Sequence, residues 1–447
     1  MLPSVLAEQL QEGLCDYIDT TFPMTNDTFR NSLQAFVSEK NSVFHEPYSA
    51  VRLPFRISNN ETECFKVIHP KFKPYIHQQK AYERLRGDDG SSTLIATGTG
   101  SGKTECFLYP ILDYCWRHMD RPGIKALIIY PMNALASDQA ERIAREIWNN
   151  PDLRDNITVG MYVGGQQTGK TTMGEHHVIT DRDTMRNTPP DILLTNYKML
   201  DYLLVRPEDA AIWKHNAYDT LKYIAVDELH TFDGAQGTDL ACLLRRLKSR
   251  LGIPTGQLCC IGTSATMGGE GSTKAMLDFA EKVFGEQFDS DAVITEDRLS
   301  VEEFLSGHET KYFNIPDNKQ VNGLGTLAAL NQTGEYISKA YEAWFGQKSD
   351  PESVLEAGFR VELAGQLLSH SFFRNLLQTT QGDYNQCEGI VAKMKEILPD
   401  FSGLDHPETA LDSFYALISH SRTFSGERLS PFLMVQTQGG SGNCAGC

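Results

Sequence analysis

Residues 96–105 read ATGTGSGKTE, three glycines alternating with small hydroxyl residues before a lysine, a threonine and a glutamate. The run at 92–95 in front of it has the composition of a buried strand, and apolar residues continue behind it at helical spacing from Cys106 to Leu112. A strand, a glycine-rich turn and a helix form the geometry that wraps backbone N–H groups around a polyphosphate. The stretch therefore predicts a nucleotide site, and a glycine-rich turn without phosphate duty is the alternative.

The residues of this turn have distinct predicted tasks. Lys103 would reach the β- and γ-phosphate oxygens as a mobile positive charge, and the Thr104 hydroxyl would ligate Mg²⁺. Thr97 stands where the strict pattern has glycine, which is acceptable if that position needs no positive φ. The predicted nucleotide-binding residues of the turn are Thr97, Gly98, Thr99, Gly100, Ser101, Gly102, Lys103 and Thr104.

The whole composition is that of a globular chain of two or three domains, because 447 residues exceed one ordinary core. Apolar residues make up 40%, and the longest apolar runs are of strand length, far short of a membrane span. The first apolar positions, Leu2, Leu6, Leu10 and Leu14, favour one face of a helix rather than a secretory signal. Ten scattered cysteines suggest no disulfide framework, so we expect a cytoplasmic protein.

Charge is distributed unevenly. The net charge is −17, which argues against a general electrostatic grip on nucleic acid. From Met267 to the end there are 13 Lys and Arg against 26 Asp and Glu, a net of −13, whereas residues 1–266 carry a net of only −4. A nucleic-acid track, if there is one, is expected in the first part.

Short β-rich runs alternate with helical stretches between Thr93 and Met267. Near-continuous apolar strands separated by helices predict an α/β fold, a parallel sheet with helices on both faces. The further strand candidates are Lys125–Tyr130, Thr158–Val163, Asp191–Thr195, Lys222–Val226 and Leu258–Thr263. The predicted domains are an accessory segment at 1–70, the sheet domain at 71–268, an acidic and mainly helical region at 269–435, and a flexible tail at 436–447.

A second acidic motif follows the turn by about 120 residues: Tyr223–His230, YIAVDELH. Four apolar or aromatic residues predict a strand whose carboxyl end delivers two carboxylates to the crevice where α/β folds bind ligands. Asp227 would hold Mg²⁺ through its water shell, and Glu228 would orient and deprotonate the attacking water. Alone, such a pair is more often a helix cap, but together with the phosphate loop it predicts an ATPase site with Lys103, Asp227 and Glu228 as catalytic residues.

The DExH spelling resembles that of superfamily 2 helicases, and further motifs follow in the order of that superfamily. The stretch YIHQQKA at 75–81 is similar to its glutamine motif for adenine. This resemblance implies that Gln78 pairs with the adenine edge and that Tyr75 stacks on the ring. A polar helix start is the alternative for this stretch.

Four more stretches resemble the nucleic-acid and coupling motifs. They are PMNALASDQ at 131–139, the glycine pair at 164–165, TNY at 195–197 and SAT at 264–266. Turns of this kind, at the ends of β-strands, offer backbone N–H and hydroxyl donors to the phosphates of a nucleic acid. The alternative is that each is a plain junction between a β-strand and a helix. The implied nucleic-acid residues are Pro131, Asn133, Gln139, Gly164, Gly165, Thr195 and Asn196. The implied coupling residues are His230, Ser264 and Thr266.

The sequence DELHTFDGAQGTD at 227–239 narrows the resemblance to the branch of YprA/MrfA-type repair helicases and Druantia-type antiphage helicases. That branch implies a RecA-like lobe, 3′–5′ translocation on DNA, a second RecA-like lobe and a zinc-binding cysteine cluster. The 447 residues contain no Gln-x-x-Gly-Arg-x-x-Arg, and Ser421–Arg428 lacks its spacing. Zinc at Cys444 and Cys447 would need a further cysteine pair, and a tail without metal is the alternative.

The predicted function is that of the ATP-binding and ATP-hydrolysing lobe of a superfamily 2 DNA helicase or translocase, in DNA repair or phage defence. The predicted cofactors are ATP and Mg²⁺. The predicted partners are single-stranded or tailed duplex DNA and a separate polypeptide that carries the second lobe. The alternative is an ATP- and nucleic-acid-binding subunit, or a truncated product, without turnover of its own.

Overall fold

The computed structural model describes residues 3–22, 25–38, 48–59, 64–70, 72–98, 100–165, 169–264, 272–328, 332–381, 385–422 and 432–436. The chain divides into two compact units. One unit is 55–297, and the other combines 1–54 with 298–447.

The unit 55–297 is built on a seven-stranded sheet, in which all described pairings are parallel. In spatial order the strands are β4-β5-β3-β6-β7-β2-β8. Their bounds are β2 Thr93–Ala96, β3 Ala126–Tyr130, β4 Val159–Tyr162, β5 Ile192–Asn196, β6 Tyr223–Val226, β7 Cys259–Ser264 and β8 Val293–Thr295. Strands β2, β3, β4 and β6 are buried along their whole lengths, as expected for a parallel sheet covered on both faces.

Helices cover both faces of this sheet. They are α3 Ile76–Leu85, α4 Lys103–Arg117, α5 Asn133–Trp148, α6 Pro151–Arg154, α7 Arg182–Asn187, α8 Tyr197–Val205, α9 Gly234–Leu251 and α10 Ser272–Phe284, with 3₁₀ turns at Asp209–Trp213 and Leu229–Thr231. One core lies under α3, α4 and α5 and includes Ile95 and Ile128. The opposite core lies under α8, α9 and α10 and includes Leu94 and Leu127. The predicted α/β class with a doubly covered parallel sheet is confirmed.

The bounds of this unit differ from the domain of 71–268 predicted from sequence. Strand β8 lies beyond that range and was not predicted, because three residues between acidic neighbours give too short an apolar signal. The segment from Phe55 to Ser58 also belongs to the unit: Arg56 O accepts a hydrogen bond from Ile76 N at 2.9 Å, which ties the segment to the start of α3.

The other unit is mainly helical, which confirms the predicted helical character of the C-terminal region, although residues 269–297 belong to the sheet unit. Its helices are α1 Pro3–Thr21, α2 Asp27–Ser38, α11 Val301–Phe304, α12 Asn318–Ala328, α13 Thr333–Phe345, α14 Ala357–Leu368, α15 Ser371–Thr380, α16 Cys387–Ile397, α17 Pro399–Ser402 and α18 Pro407–His420, with a 3₁₀ turn at Ser353–Leu355. A small antiparallel sheet, in the order β10-β1-β9, joins β1 Tyr48–Arg52 to β9 Asn385–Gln386 and β10 Phe432–Gln436. The segment predicted as accessory at 1–70 is therefore divided between the units after Pro54.

An aromatic core holds the helical unit together. Trp344 is fully buried and packs against Phe372 and Phe414, with ring centroids 4.5 and 4.7 Å away. Its indole Nε1 donates to Ser413 Oγ at 2.8 Å, so the buried polar atom is satisfied. Across the described part of the chain, none of the helices combines the length and the apolar character that crossing a bilayer requires.

Candidate nucleotide and nucleic-acid site

The phosphate loop follows β2 at the carboxyl edge of the sheet, and α4 begins at Lys103. Gly102 has φ = 76°, and a Cβ there would lie 2.3 Å from Gln78 Nε2, so only glycine fits. Thr97 is fully buried, and its hydroxyl lies 2.7 Å from Ser101 Oγ, so a hydrogen bond joins the two residues across the loop. Thr97 has no positive φ, as the sequence argument required. Thr99, also predicted to bind the nucleotide, lies outside the described residues.

The acidic pair after β6 lies beside this loop. Lys103 Nζ is 3.3 Å from Glu228 Oε1, in an ion pair whose side chains are only 12% and 27% exposed. The Thr263 hydroxyl, from the end of β7, donates to Asp227 Oδ1 at 2.5 Å and accepts from the Glu228 N–H at 3.0 Å. The structure therefore brings together the lysine and both carboxylates, which are 124 and 125 positions apart in sequence.

Asp227 fits the role of a cation ligand. Burial, and then the neighbouring Glu228 charge, raises the pKa of Asp227 above its usual value, against the opposing effect of the Thr263 hydrogen bond. A carboxylate in such surroundings is stabilised by a divalent cation, and Thr104 on the first turn of α4 supplies the second oxygen that Mg²⁺ prefers. Thr104 and Asp227 would hold the ion, which would neutralise charge on the phosphates.

Glu228 has a backbone conformation that sequence reasoning did not reveal. Its φ is 49°, and no other non-glycine residue among those described has a positive φ. A left-handed conformation is unfavourable for a residue with a Cβ and is found mainly where the surrounding structure enforces it. Here the Thr263 hydroxyl accepts the Glu228 N–H, so a neighbouring strand holds the residue in place.

Two of the three predicted coupling residues, His230 and Ser264, lie close to Glu228. His230 Nδ1 is 3.3 Å from Ser264 Oγ and 3.4 Å from Glu228 Oε2. His230 thus lies between the carboxylate and the end of β7, where it can sense a change at either one. Thr266 lies outside the described residues.

The predicted adenine side is the start of α3. Gln78 Oε1 accepts from Tyr75 N at 3.0 Å, Nε2 lies 3.4 Å from Gly102 O, and the residue is 2% exposed. The side chain therefore joins the helix start to the phosphate loop, and its pairing with adenine stays a prediction. Sequence reasoning missed two aromatic neighbours. Phe55 has its ring centroid 5.1 Å from that of Tyr75, and the His77 ring stacks on Tyr75 at 5.6 Å.

The candidate nucleic-acid residues other than Gln139 lie at or just after the ends of β3, β4 and β5, which are neighbours at one end of the sheet. Asn196 Nδ2 donates to Asn133 Oδ1 at 2.6 Å, and Asn196 Oδ1 caps α8 by accepting from Met199 N at 2.8 Å. Pro131 precedes Asn133 after β3. Gly164 and Gly165 follow β4, and Gly165 has φ = 87°. The turns lie at the same edge as the phosphate loop, since the carboxyl ends of parallel strands meet there.

Two of the predicted nucleic-acid residues point inward. Thr195 is fully buried, and its hydroxyl donates to Tyr162 O at 2.7 Å. Gln139 has a buried Oε1 for which the described residues provide no hydrogen-bond partner. The hydroxyl of Thr195 therefore supports the strand end, and a contact with nucleic acid would fall to its neighbour Asn196.

The zinc prediction is not tested by the structure. Cys444 and Cys447 lie outside the described residues, as does most of the Ser421–Arg428 stretch. Within the described ranges, no group of three or more His, Cys, Asp or Glu side chains could hold a metal ion.

Comparison with known proteins agrees with this geometry. Residues 75–274 match the DEAD/DEAH box helicase family. The Druantia protein DruE of Escherichia coli is 27% identical over 58% of this chain and 20% of its own length. The helicase YprA of Bacillus subtilis is 29% identical over 43% of this chain and 23% of its own. The ATP-dependent helicase HRQ1 of Saccharomyces cerevisiae is 29% identical over 44% of this chain and 17% of its own length.

Solved structures give a weaker likeness. The crystal structure of the DUF1998 helicase MrfA has a TM-score of 0.38 at 25% identity and covers 57% of this chain and 34% of its own. For the relatives DruE, YprA and HRQ1, the matched part is about a fifth of their own length. The resemblance to superfamily 2 helicases of the YprA/MrfA and Druantia branch, predicted from the motifs, is confirmed by the sequence matches.

Proposed function

We propose that this chain, in which residues 75–274 are a DEAD/DEAH box helicase domain, is the ATP-binding lobe of a DNA helicase or translocase. The observation that carries the proposal is the meeting of Lys103, Asp227 and Glu228 at one sheet edge. The same edge bears the Asn133–Asn196 pair. A nucleotide site and a polar strand-end surface on one rigid sheet are the two parts that a nucleic-acid motor must connect.

The geometry suggests how the nucleotide is bound. The Lys103 ammonium, now paired with Glu228, would turn to the β- and γ-phosphates, where the negative charge is higher. Glu228 is thereby freed from its cation and can accept a proton from the attacking water. The exchange of partners would couple binding of the phosphate to activation of the base.

Turnover needs a group beyond Lys103, Asp227 and Glu228. In phosphoryl transfer, an arginine that stabilises charge on the γ-phosphate contributes about 10³–10⁵ in rate. The Glu228 carboxylate pairs with Lys103 and lies 3.4 Å from His230 Nδ1, and neither of these partners is an arginine. We propose that a second RecA-like lobe supplies the arginines, either from another polypeptide or from a longer form of this one.

The cellular process is proposed from the relatives. The motifs resemble those of YprA/MrfA-type repair helicases and Druantia-type antiphage helicases, and YprA and DruE are among the relatives of this chain, so we propose a role in phage defence or DNA repair. The competing function is an ATP- and nucleic-acid-binding subunit without turnover.

The test is phosphate release by the 447-residue chain, with and without single-stranded DNA or RNA, beside binding of both. We expect ATP and DNA binding, trace hydrolysis and no separation of a tailed duplex. The Glu228→Gln variant is the control that identifies the trace as this site's own. Robust DNA-stimulated turnover by the pure chain would contradict the need for a second lobe, and absence of ATP binding would contradict the function itself.

A further inference from the structure

The beginning of the phosphate loop is held by a carboxylate that no sequence motif marks. The Gly98 N–H donates to Glu296 Oε2 at 2.9 Å, although the two residues are 198 positions apart. Strand β8 runs parallel to β2, with Ala96 opposite Thr295. Glu296 is therefore the first residue beyond β8, at the level where β2 becomes the loop.

Other contacts hold the far end of the loop. His77 Nε2 lies 2.8 Å from Ser101 O, and Gln78 Nε2 lies 3.4 Å from Gly102 O. Both contacts come from α3. Glu296 thus holds the loop at its start, from the end of strand β8 rather than from α3.

The position of Glu296 is itself fixed by its neighbour. Asp297 O accepts from Arg56 N at 2.8 Å, and the Asp297 carboxylate pairs with Arg56 Nε at 2.9 Å. Arg56 O in turn accepts from Ile76 N at the start of α3. The carboxylate of Glu296 is therefore presented by a segment bonded on two sides, which limits the directions in which it can move.

We propose that Glu296 is a positioning residue that preorganises the phosphate loop for the polyphosphate of ATP, an inference that rests on the proposed function. Glycines at 98, 100 and 102 give the loop wide conformational freedom, which ATP binding must remove. A fixed first amide removes part of that freedom before the ligand arrives, and preorganisation of this kind increases affinity.

The acceptor atom, rather than the negative charge, is what the loop requires. A charge at this place would repel the phosphates, whereas the hydrogen bond to Gly98 needs only an oxygen at the end of a side chain of this length. Glutamine at position 296 keeps such an oxygen and removes the charge. Alanine removes both.

The experiment is calorimetric titration of the full 447-residue chain with MgATP, comparing wild type with Glu296→Ala and Glu296→Gln. We expect the alanine variant to bind about fivefold to tenfold more weakly and the glutamine variant to stay within about twofold of wild type. Asp291→Ala, at the amino end of the same β8, is the matched control and should bind as wild type does. Hydrogen exchange should quicken at the loop peptide of the alanine variant alone.

The outcomes separate this inference from the proposed function. Equal or tighter ATP binding by Glu296→Ala, with a wild type that binds ATP, would overturn the positioning role and leave the nucleotide site standing. Equal weakening in the glutamine variant would overturn the acceptor argument. A wild type that binds no ATP would overturn both proposals. The alanine variant could lose affinity and also have a lower Tm, while the glutamine variant does neither. Hydrogen exchange then decides: faster exchange confined to the loop supports the positioning role of Glu296, and faster exchange throughout the protein overturns it.

Discussion

The two units of the chain use buried polar groups in opposite ways. In 55–297, Lys103, Asp227 and Glu228 crowd together at one sheet edge, and Glu228 has an unfavourable backbone conformation. In the helical unit, His370 is 1% exposed, yet both ring nitrogens are engaged: Nε2 faces Trp344 O at 3.1 Å, and Nδ1 accepts from Phe372 N at 3.1 Å. One arrangement concentrates charge that a ligand can use, and the other ties polar atoms into the core.

Buried charge and backbone strain distinguish a binding site from the packed core of the same chain. Groups that are buried, charged and strained lower the stability of the unbound protein and persist where they serve a ligand. Groups that are buried, neutral and fully bonded favour one packing arrangement over others. The contrast leads to measurable expectations on both sides.

The largest effect is expected from the lysine of the phosphate loop. Lys103→Ala should weaken ATP binding by about 100-fold or more, because no other residue of the loop can supply that charge. Glu228→Gln should retain binding, since Mg²⁺ would be held by Thr104 and Asp227. Isothermal titration calorimetry measures both, with Lys222→Ala before β6 as the control. Equal affinity of Lys103→Ala and wild type would remove the contrast between the units.

The next effect belongs to the helical unit and depends on pH. Burial lowers the pKa of His370 to about 4, whereas an unfolded histidine titrates near 6.5. Because the folded value is depressed, the unit is stable with neutral His370 above pH 6.5 and loses stability as pH falls from 6.5 towards 4. By linkage the loss is about 2 kcal/mol at pH 5.

The measurement is hydrogen exchange of the helix amides at pH 7.5 and pH 5 for wild type and His370→Asn. Asparagine keeps a side-chain acceptor for the Phe372 N–H at the start of α15 and removes the titration. We expect the pH-dependent loss to shrink by about 2 kcal/mol in the variant. An identical loss in both proteins would show that other groups cause it.

A smaller effect of opposite sense is expected at the acidic pair. The raised pKa of Asp227 means that the folded protein carries this charge at a cost above that pKa. Asp227→Asn should therefore stabilise the nucleotide-free protein at pH 7, while weakening Mg²⁺-dependent ATP binding. The gain should shrink as pH falls through the raised pKa, and urea unfolding at several pH values tests it. Destabilisation at pH 7 would show that the charge of Asp227 does not lower the stability of the folded protein.

The smallest expected effect is that of the acidic helical unit on the affinity for single-stranded DNA. The unit 55–297 carries 27 Lys and Arg against 33 Asp and Glu, a net of −6, and the rest of the chain carries −11. Residues 55–297 alone should bind single-stranded DNA about threefold more tightly than the full chain at low salt, and the difference should fade as salt rises. Fluorescence anisotropy measures it. Unchanged affinity would mean that the acidic unit lies away from the DNA.

Much of the sheet unit could be read from the sequence, because its signals are local. The strand candidates at 125–130, 158–163, 191–195, 222–226 and 258–263 coincide with β3 to β7, and the phosphate loop begins α4 as expected. Apolar runs bounded by turn residues and a glycine-rich motif are properties of short windows. The same holds for Asp227 and Glu228 at the end of β6.

The contacts that the sequence could not predict are long-range. Glu296 with Gly98 and Arg56 with Asp297 join residues about 200 or more positions apart, and no local pattern marks either pair. The φ of Glu228 depends on a hydroxyl of β7 and is equally invisible in a window around β6. Thr195 shows the reverse error, since a hydroxyl in a motif can serve the strand end instead of a ligand.

The place of β2 in the sheet has a consequence for synthesis of the chain. Leu94 pairs with Gly262 of β7 on one side and with Val293 of β8 on the other, so β2 must wait for strands made much later. Strands β3, β4 and β5, by contrast, all lie within residues 126–196 and can pair early. As the ribosome releases the chain from its amino end, the part of the edge that bears the Asn133–Asn196 pair can form first and the part that bears the phosphate loop last. A nascent chain that stops before residue 293 would leave β2 as an exposed edge strand, open to pairing with another molecule.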